Sequence, residues 1–175
     1  MQSTATFSPS DRATIETSLA RMTGDAFGAL ATLPLFCLGQ LPSPDPEAAI
    51  HEHFEVWHSC LIVIREVIKA AGAKGDRDTH AAVAALLDVV GDLRDAYIDI
   101  HHFHRAEPQR AADTVKRLQA AYDRMPSLVR DLAARLELES PFLPGPRSLK
   151  SVLPQRNLQW LSDEIQREMA GNRNG

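Results

Sequence analysis

The sequence predicts an all-α fold: a four-helix-bundle-like core, then a proline-rich C-terminal arm and a short terminal helix. Four segments repeat apolar residues every three or four positions, and no segment alternates polar and apolar residues for long. The connection around His104 to Gln109 is short, which favours antiparallel packing of the helices it joins.

The first helix is expected to start after Ser8 or Ser10, with Asp11 near its positive end, and to run through Ile15, Leu19, Met22 and Phe27, bending near Gly24 or Gly28. Pro34, Pro42, Pro44 and Pro46 then punctuate a connection that breaks the helical pattern. Asp45 is the expected N-cap of the second helix and Pro46 its first residue. Ile50, Phe54, Trp57, Leu61, Ile64 and Ile68 draw a single apolar stripe along it, and it ends near Gly72 to Gly75. The third helix begins around Asp76 or Asp78 and carries Leu86, Val90, Leu93, Tyr97 and Ile100, with His104 in line with the same stripe. A fourth helix follows Pro108 with Val115, Leu118, Tyr122, Met125, Val129, Leu132 and Leu136, and Pro126 is expected to kink or split it. Residues 1–139 thus form the bundle. Residues 140–175 form the arm, with Pro141, Pro144, Pro146 and Pro154, and a short amphipathic helix bearing Leu158, Leu161, Ile165 and Met169.

At 175 residues and 44% hydrophobic content the chain is large enough for one domain with a real core. The 19 basic and 23 acidic residues give no electrostatic reason for a nucleic-acid or anionic-membrane partner. Cys37 and Cys60 are too few for a disulfide framework and lack zinc-site spacing, so a reducing cytoplasm is the expected location. No segment is suited to spanning a bilayer.

Six of the seven histidines fall in two clusters, His51, His53 and His58 on the second helix and His101, His102 and His104 at the end of the third. At about 100° per residue, His51, Glu55, His58 and Ile62 share one ridge beside the Phe54/Trp57 stripe. Two ridges thus offer imidazoles to one interior. As a plain structural alternative, these side chains sit at the surface or hydrogen-bond to carbonyls at the core edge.

Several chemistries suit these residues. Glu55-x-x-His58 and Asp99-x-x-His102 have the Glu-x-x-His type of spacing with which four-helix bundles hold two iron or manganese ions. Arg94-Asp95 followed by His101 fits the loose arginine-histidine pattern of the helical ribonucleases called HEPN, in which paired residues activate a ribose hydroxyl across a dimer. The arm and terminal helix, with Trp160 and Leu161 as anchors, also suit a non-enzymatic subunit or adaptor.

The segment Ile50-His51-Glu52-His53-Phe54-Glu55-Val56-Trp57-His58 resembles a segment of tryptophan 2,3-dioxygenase and related haem-dependent aromatic oxygenases. Leu30 to Gln40 with Leu41-Pro42-Ser43-Pro44 is similar to the leucine-rich helix and loop that precede that segment in the family. The resemblance implies haem as cofactor and a small aromatic, indole- or phenol-type substrate. It places His51 on the distal side, Phe54 and Trp57 in the pocket wall, and Arg130, after Met125-Pro126-Ser127, on a substrate carboxylate. The proximal iron ligand would fall to His104 or His101, because no histidine follows residue 104. On this reading the chain is an oxygenase-like homo-oligomer whose axial histidine sets the reactivity of the iron.

Overall fold

The computed structural model describes residues 7–71, 77–138 and 153–172, with side chains described outside 23–31, 153–157 and 172. The described residues form five helices: α1 (Pro9–Cys37), α2 (Pro46–Ala70), α3 (Arg77–Phe103), α4 (Pro108–Arg135) and α5 (Leu153–Asn172). Their starts follow from local chemistry. Ser8 accepts from the Asp11 N–H while the Asp11 carboxylate accepts from the Ser8 N–H, a reciprocal box that satisfies two donors at the head of α1. Asp45 accepts from the Ala48 N–H at 2.9 Å, and Pro46 occupies the first position of α2, where no N–H is required.

α1 does not break at Pro34. The ring sits in the last turn, where its missing N–H removes only a terminal bond, and the helix closes beyond it. Gly39, in the left-handed region at φ 65°, donates to Phe36 O while Gln40 donates to Leu35 O. This pair of bonds is the Schellman ending, which glycine adopts without strain. Pro126 likewise lies within α4, which remains one element from Pro108 to Arg135. Proline at this point removes one backbone bond, and the residue is buried in the α4 seam, so packing along the helix holds the two turns together. The expected bend at Gly24 or Gly28 does not interrupt α1.

The helices form a ring in which α1 packs on α2, α2 on α3, α3 on α4, α4 on α5 and α5 back on α1, with α3 also reaching α1. The stripes expected on α2, α3 and α4 are all buried. Ile15, Leu19 and Met22 of α1 join them, whereas Phe27 lies outside the described side chains. The terminal helix α5 packs back onto the bundle, against α4 and α1. Leu158, Leu161 and Ile165 are buried in the same hydrophobic cluster as the other helices, so α5 completes the core. The arm itself, 139–152, lies outside the described residues.

A line of aromatic rings crosses the centre. Trp57 and Phe54 meet edge to face with centroids 4.9 Å apart, Phe54 lies 6.0 Å from Tyr97, and Tyr97 lies 6.5 Å from Tyr122. The line joins α2, α3 and α4, and its polar end is a hydroxyl pair, Tyr97 to Tyr122, at 2.9 Å.

Asp99 fixes the α3–α4 seam nearby. It accepts from Thr114 Oγ1 at 2.6 Å and from Arg110, whose guanidinium also lies over the Phe103 ring. Partial burial works to raise the Asp99 carboxyl, but the Thr114 and Arg110 hydrogen bonds and the charges of Arg110 and Arg117 outweigh it and hold the group below its usual range. A depressed carboxyl stabilises the fold above the unfolded value, about pH 4, and loses that contribution as pH falls through the folded value. Asp99→Asn is therefore expected to cost about 1–2 kcal/mol at neutral pH and to flatten the acid side of the stability profile, read by urea unfolding across pH.

Candidate functional site

The two histidine clusters come together only at their edges, at the junction between the start of α2 and the end of α3. Glu47, in the first turn of α2, bridges them: its Oε1 lies 3.7 Å from His51 Nε2 and its Oε2 lies 3.1 Å from His102 Nε2. The His51 side chain is 51% exposed, so this ridge faces solvent and not the interior. His58 and Glu55 are exposed on the same side. His53 is half-buried beside the Phe36 ring. The pairing through Glu47 was readable in part, since a carboxylate four residues before a histidine shares its helix face.

Phe54 and Trp57 point inward, but into packing. Trp57 is wholly buried and Phe54 nearly so, each filled against the rings of the aromatic line. His101 is half-buried, and its Nδ1–H donates to the carbonyl of Cys37 at the end of α1, 3.1 Å away. Cys37 in turn donates its thiol to Tyr97 O at 3.3 Å, and burial pushes that thiol well above its ordinary value. Neither cysteine is in a disulfide.

His104 is buried, 5% exposed, as its place on the α3 stripe predicts. Its Nδ1 lies 3.0 Å from the carbonyls of Ile100 and His101, and because a carbonyl only accepts, Nδ1 carries the hydrogen. Nε2 is turned toward α5, 3.9 Å from Glu168 Oε1. Sequence reasoning had no signal for Glu168, which lies on an element that periodicity alone does not dock.

These positions test the haem reading on packing. The aromatic side chains named as pocket walls are packed against other rings in the core, His51 looks outward, and His104 directs its second nitrogen at a carboxylate. The residues do not fit the group. Arg130 is exposed on α4. The paired-metal reading meets a similar arrangement, because Glu55 and His58 are on the surface, Asp99 is held by Thr114 and Arg110, and His102 by Glu47. Among the described residues no group of three or more histidine, cysteine, aspartate or glutamate side chains is arranged to hold a metal ion. Arg94, the arginine of the ribonuclease pattern, is paired with its neighbour Asp95 at 2.8 Å.

A concavity does lie elsewhere, in the seam between α4 and α5. It is an open groove of about 530 Å³ with Ala112, Val115 and Leu158 as its apolar floor. Gln109, Lys116 and Gln119 of α4 rim one side, and Gln159, Ser162 and Gln166 of α5 the other. Three of these glutamines are oriented by an aspartate four residues later. Gln119 donates to Asp123 at 2.9 Å, Gln159 donates to Asp163 at 2.8 Å, and Gln109 bonds to Asp113. Each bond engages one of the two amide N–H donors and leaves the carbonyl oxygen as an acceptor. No described helix is long and apolar enough to cross a membrane. No family model, curated protein or solved structure matches the chain.

Proposed function

We propose that the protein is a non-enzymatic helical interaction subunit that receives an extended, donor-rich polypeptide segment in the α4/α5 groove. The carrying observation is the rim, where three glutamines, each bonded to an aspartate four residues later, border an apolar floor. An extended backbone supplies N–H donors at regular intervals, and arginine or lysine side chains supply more. The aspartates behind the rim favour such a cationic segment, although Lys116, itself bonded to Asp113 at 2.9 Å, moderates the field. The apolar floor takes one or two small side chains and contributes the desolvation that amide contacts alone lack.

A display library of short random peptides tests this. Selected sequences are expected to be rich in arginine and lysine, and Ala112→Arg, which places bulk and like charge on the groove floor, should weaken them at least about tenfold without altering the helical spectrum. Peptides indifferent to Ala112→Arg, or no enrichment at all, would sink the proposal. So would a Soret band with near-stoichiometric iron in protein purified from haem-supplemented cells, which would restore the oxygenase reading.

A further inference from the structure

His104 and Glu168 leave an unusual gap in the buried polar accounting. Among the described residues, His104 Nε2 and Glu168 Oε2 are the buried side-chain polar atoms without a hydrogen-bond partner. They belong to facing side chains, one at the end of α3 and one near the end of α5, with Nε2 3.9 Å from the other carboxylate oxygen. Since Nδ1 already donates its hydrogen to the Ile100 and His101 carbonyls, a neutral ring shows Glu168 a bare lone pair. The buried Nε2 lone pair then faces a carboxylate oxygen with no hydrogen between the two acceptors, an arrangement that repels. One proton on Nε2 supplies a charged donor aimed at that carboxylate, and a small approach from 3.9 Å closes a charge-assisted bond that satisfies the ring.

We infer that His104 and Glu168 form a proton-controlled clasp that seats α5 on the bundle. Docking of α5 takes up the proton, and raising the pH removes it and loosens the helix. Arg105, the next residue in the chain after His104, is exposed, and the charged groups around it are engaged among themselves. Arg110 is held by Asp99 and Glu107, Arg167 by Glu164, and Glu47 by His51 and His102, while His101 donates to Cys37. Glu168 is thus the carboxylate within reach of His104. Because α5 forms one wall of the α4/α5 groove, the clasp also sets whether that groove exists. This last consequence rests on the interaction-subunit reading, whereas the clasp itself does not.

Hydrogen exchange of the full chain, followed by mass spectrometry over 153–172 and corrected for the intrinsic pH dependence of exchange, tests the clasp without any peptide. The α5 amides are expected to open about tenfold less often at about pH 6 than at about pH 8. Glu168→Gln offers Nε2 an amide donor at any pH, so its α5 should stay docked with the pH dependence removed, while His101→Gln should keep the wild-type dependence. Imidazole nitrogen spectra of the wild type give a second readout, in which docked His104 shows both ring nitrogens protonated. A flat wild-type profile, a slope surviving in Glu168→Gln, or a docked His104 protonated at Nδ1 alone would each overturn the assignment. Failure here would leave peptide binding to the groove standing, and failure of peptide selection would leave the clasp standing.

Discussion

Trp57→Ala is expected to destabilise the fold by about 3–5 kcal/mol, a large fraction of the stability of a domain of this size. Trp57 is wholly buried and anchors the aromatic line that ties α2 to α3 and α4. Its removal leaves a void that rigid neighbours on three helices fill only partly, so the lost transfer energy and the cavity term add. Trp57→Phe, which keeps an aromatic ring in the same place, should lose only about 1–2 kcal/mol. Urea unfolding followed by circular dichroism measures both, and Trp160 on α5 remains as a fluorescent reporter. The outcome also separates two roles for the residue. A pocket-wall tryptophan lines a space already open, so its truncation changes ligand binding and leaves folding nearly intact. A midpoint close to wild type in Trp57→Ala would therefore refute the packing described for the core.

The helices were legible because burial in a bundle leaves a direct periodic trace. Every member of the stripe Ile50, Phe54, Trp57, Leu61, Ile64 and Ile68 is buried, and Asp45-Pro46 announced the start of α2 through cap chemistry that acts within four residues. Prolines were harder to weigh. Pro34 and Pro126 each carry the same local penalty, but its effect depends on position and surroundings: one lies in a terminal turn, the other in a buried seam. The place of α5 was also beyond local reasoning, since an amphipathic helix shows that it has an apolar face without showing what covers it.

The histidines mark the same boundary for the site. A wheel places His51 and His58 correctly on one ridge of α2, yet a ridge beside a stripe turns to solvent or to the interior according to where α1 and α3 lie. Here α3 meets that side at its end, through His102 and Glu47. His104, within the stripe and not beside it, is the member whose burial periodicity fixed. Its partner Glu168 and the α4/α5 groove depend on contacts between distant segments, which spacing along the chain does not encode. The three glutamine–aspartate pairs of the rim were present in the sequence as i to i+4 spacings, but such pairs become a rim only once α4 and α5 are placed side by side.

Tyr97 and Tyr122 carry the second large expected effect. They share one hydrogen bond in the core, so Tyr97→Phe strands the Tyr122 hydroxyl and should cost about 1–3 kcal/mol. Tyr97→Phe with Tyr122→Phe removes both partners and should cost clearly less than the sum of the single changes, the difference being their coupling. Alkali provides an independent reading. Burial, reinforced by the neighbouring Tyr122, raises the Tyr97 phenol well above its ordinary value, and burial raises Tyr122 too, although the Tyr97 hydrogen bond opposes it. Both groups are neutral when protonated, so their contribution is fully present below the unfolded value, near pH 10, and declines as pH rises toward the folded values. These are the only two tyrosines in the sequence, and tyrosinate absorbance therefore reports on this pair alone. It is expected to stay silent through about pH 10–11 and then to appear together with loss of helical circular dichroism, because ionisation requires the core to open. The double phenylalanine variant, freed of both phenols, should show a shallower alkaline decline. Gradual tyrosinate formation in a protein that remains helical would mean that at least one of the two hydroxyls reaches solvent, and the bond between them would have to be abandoned.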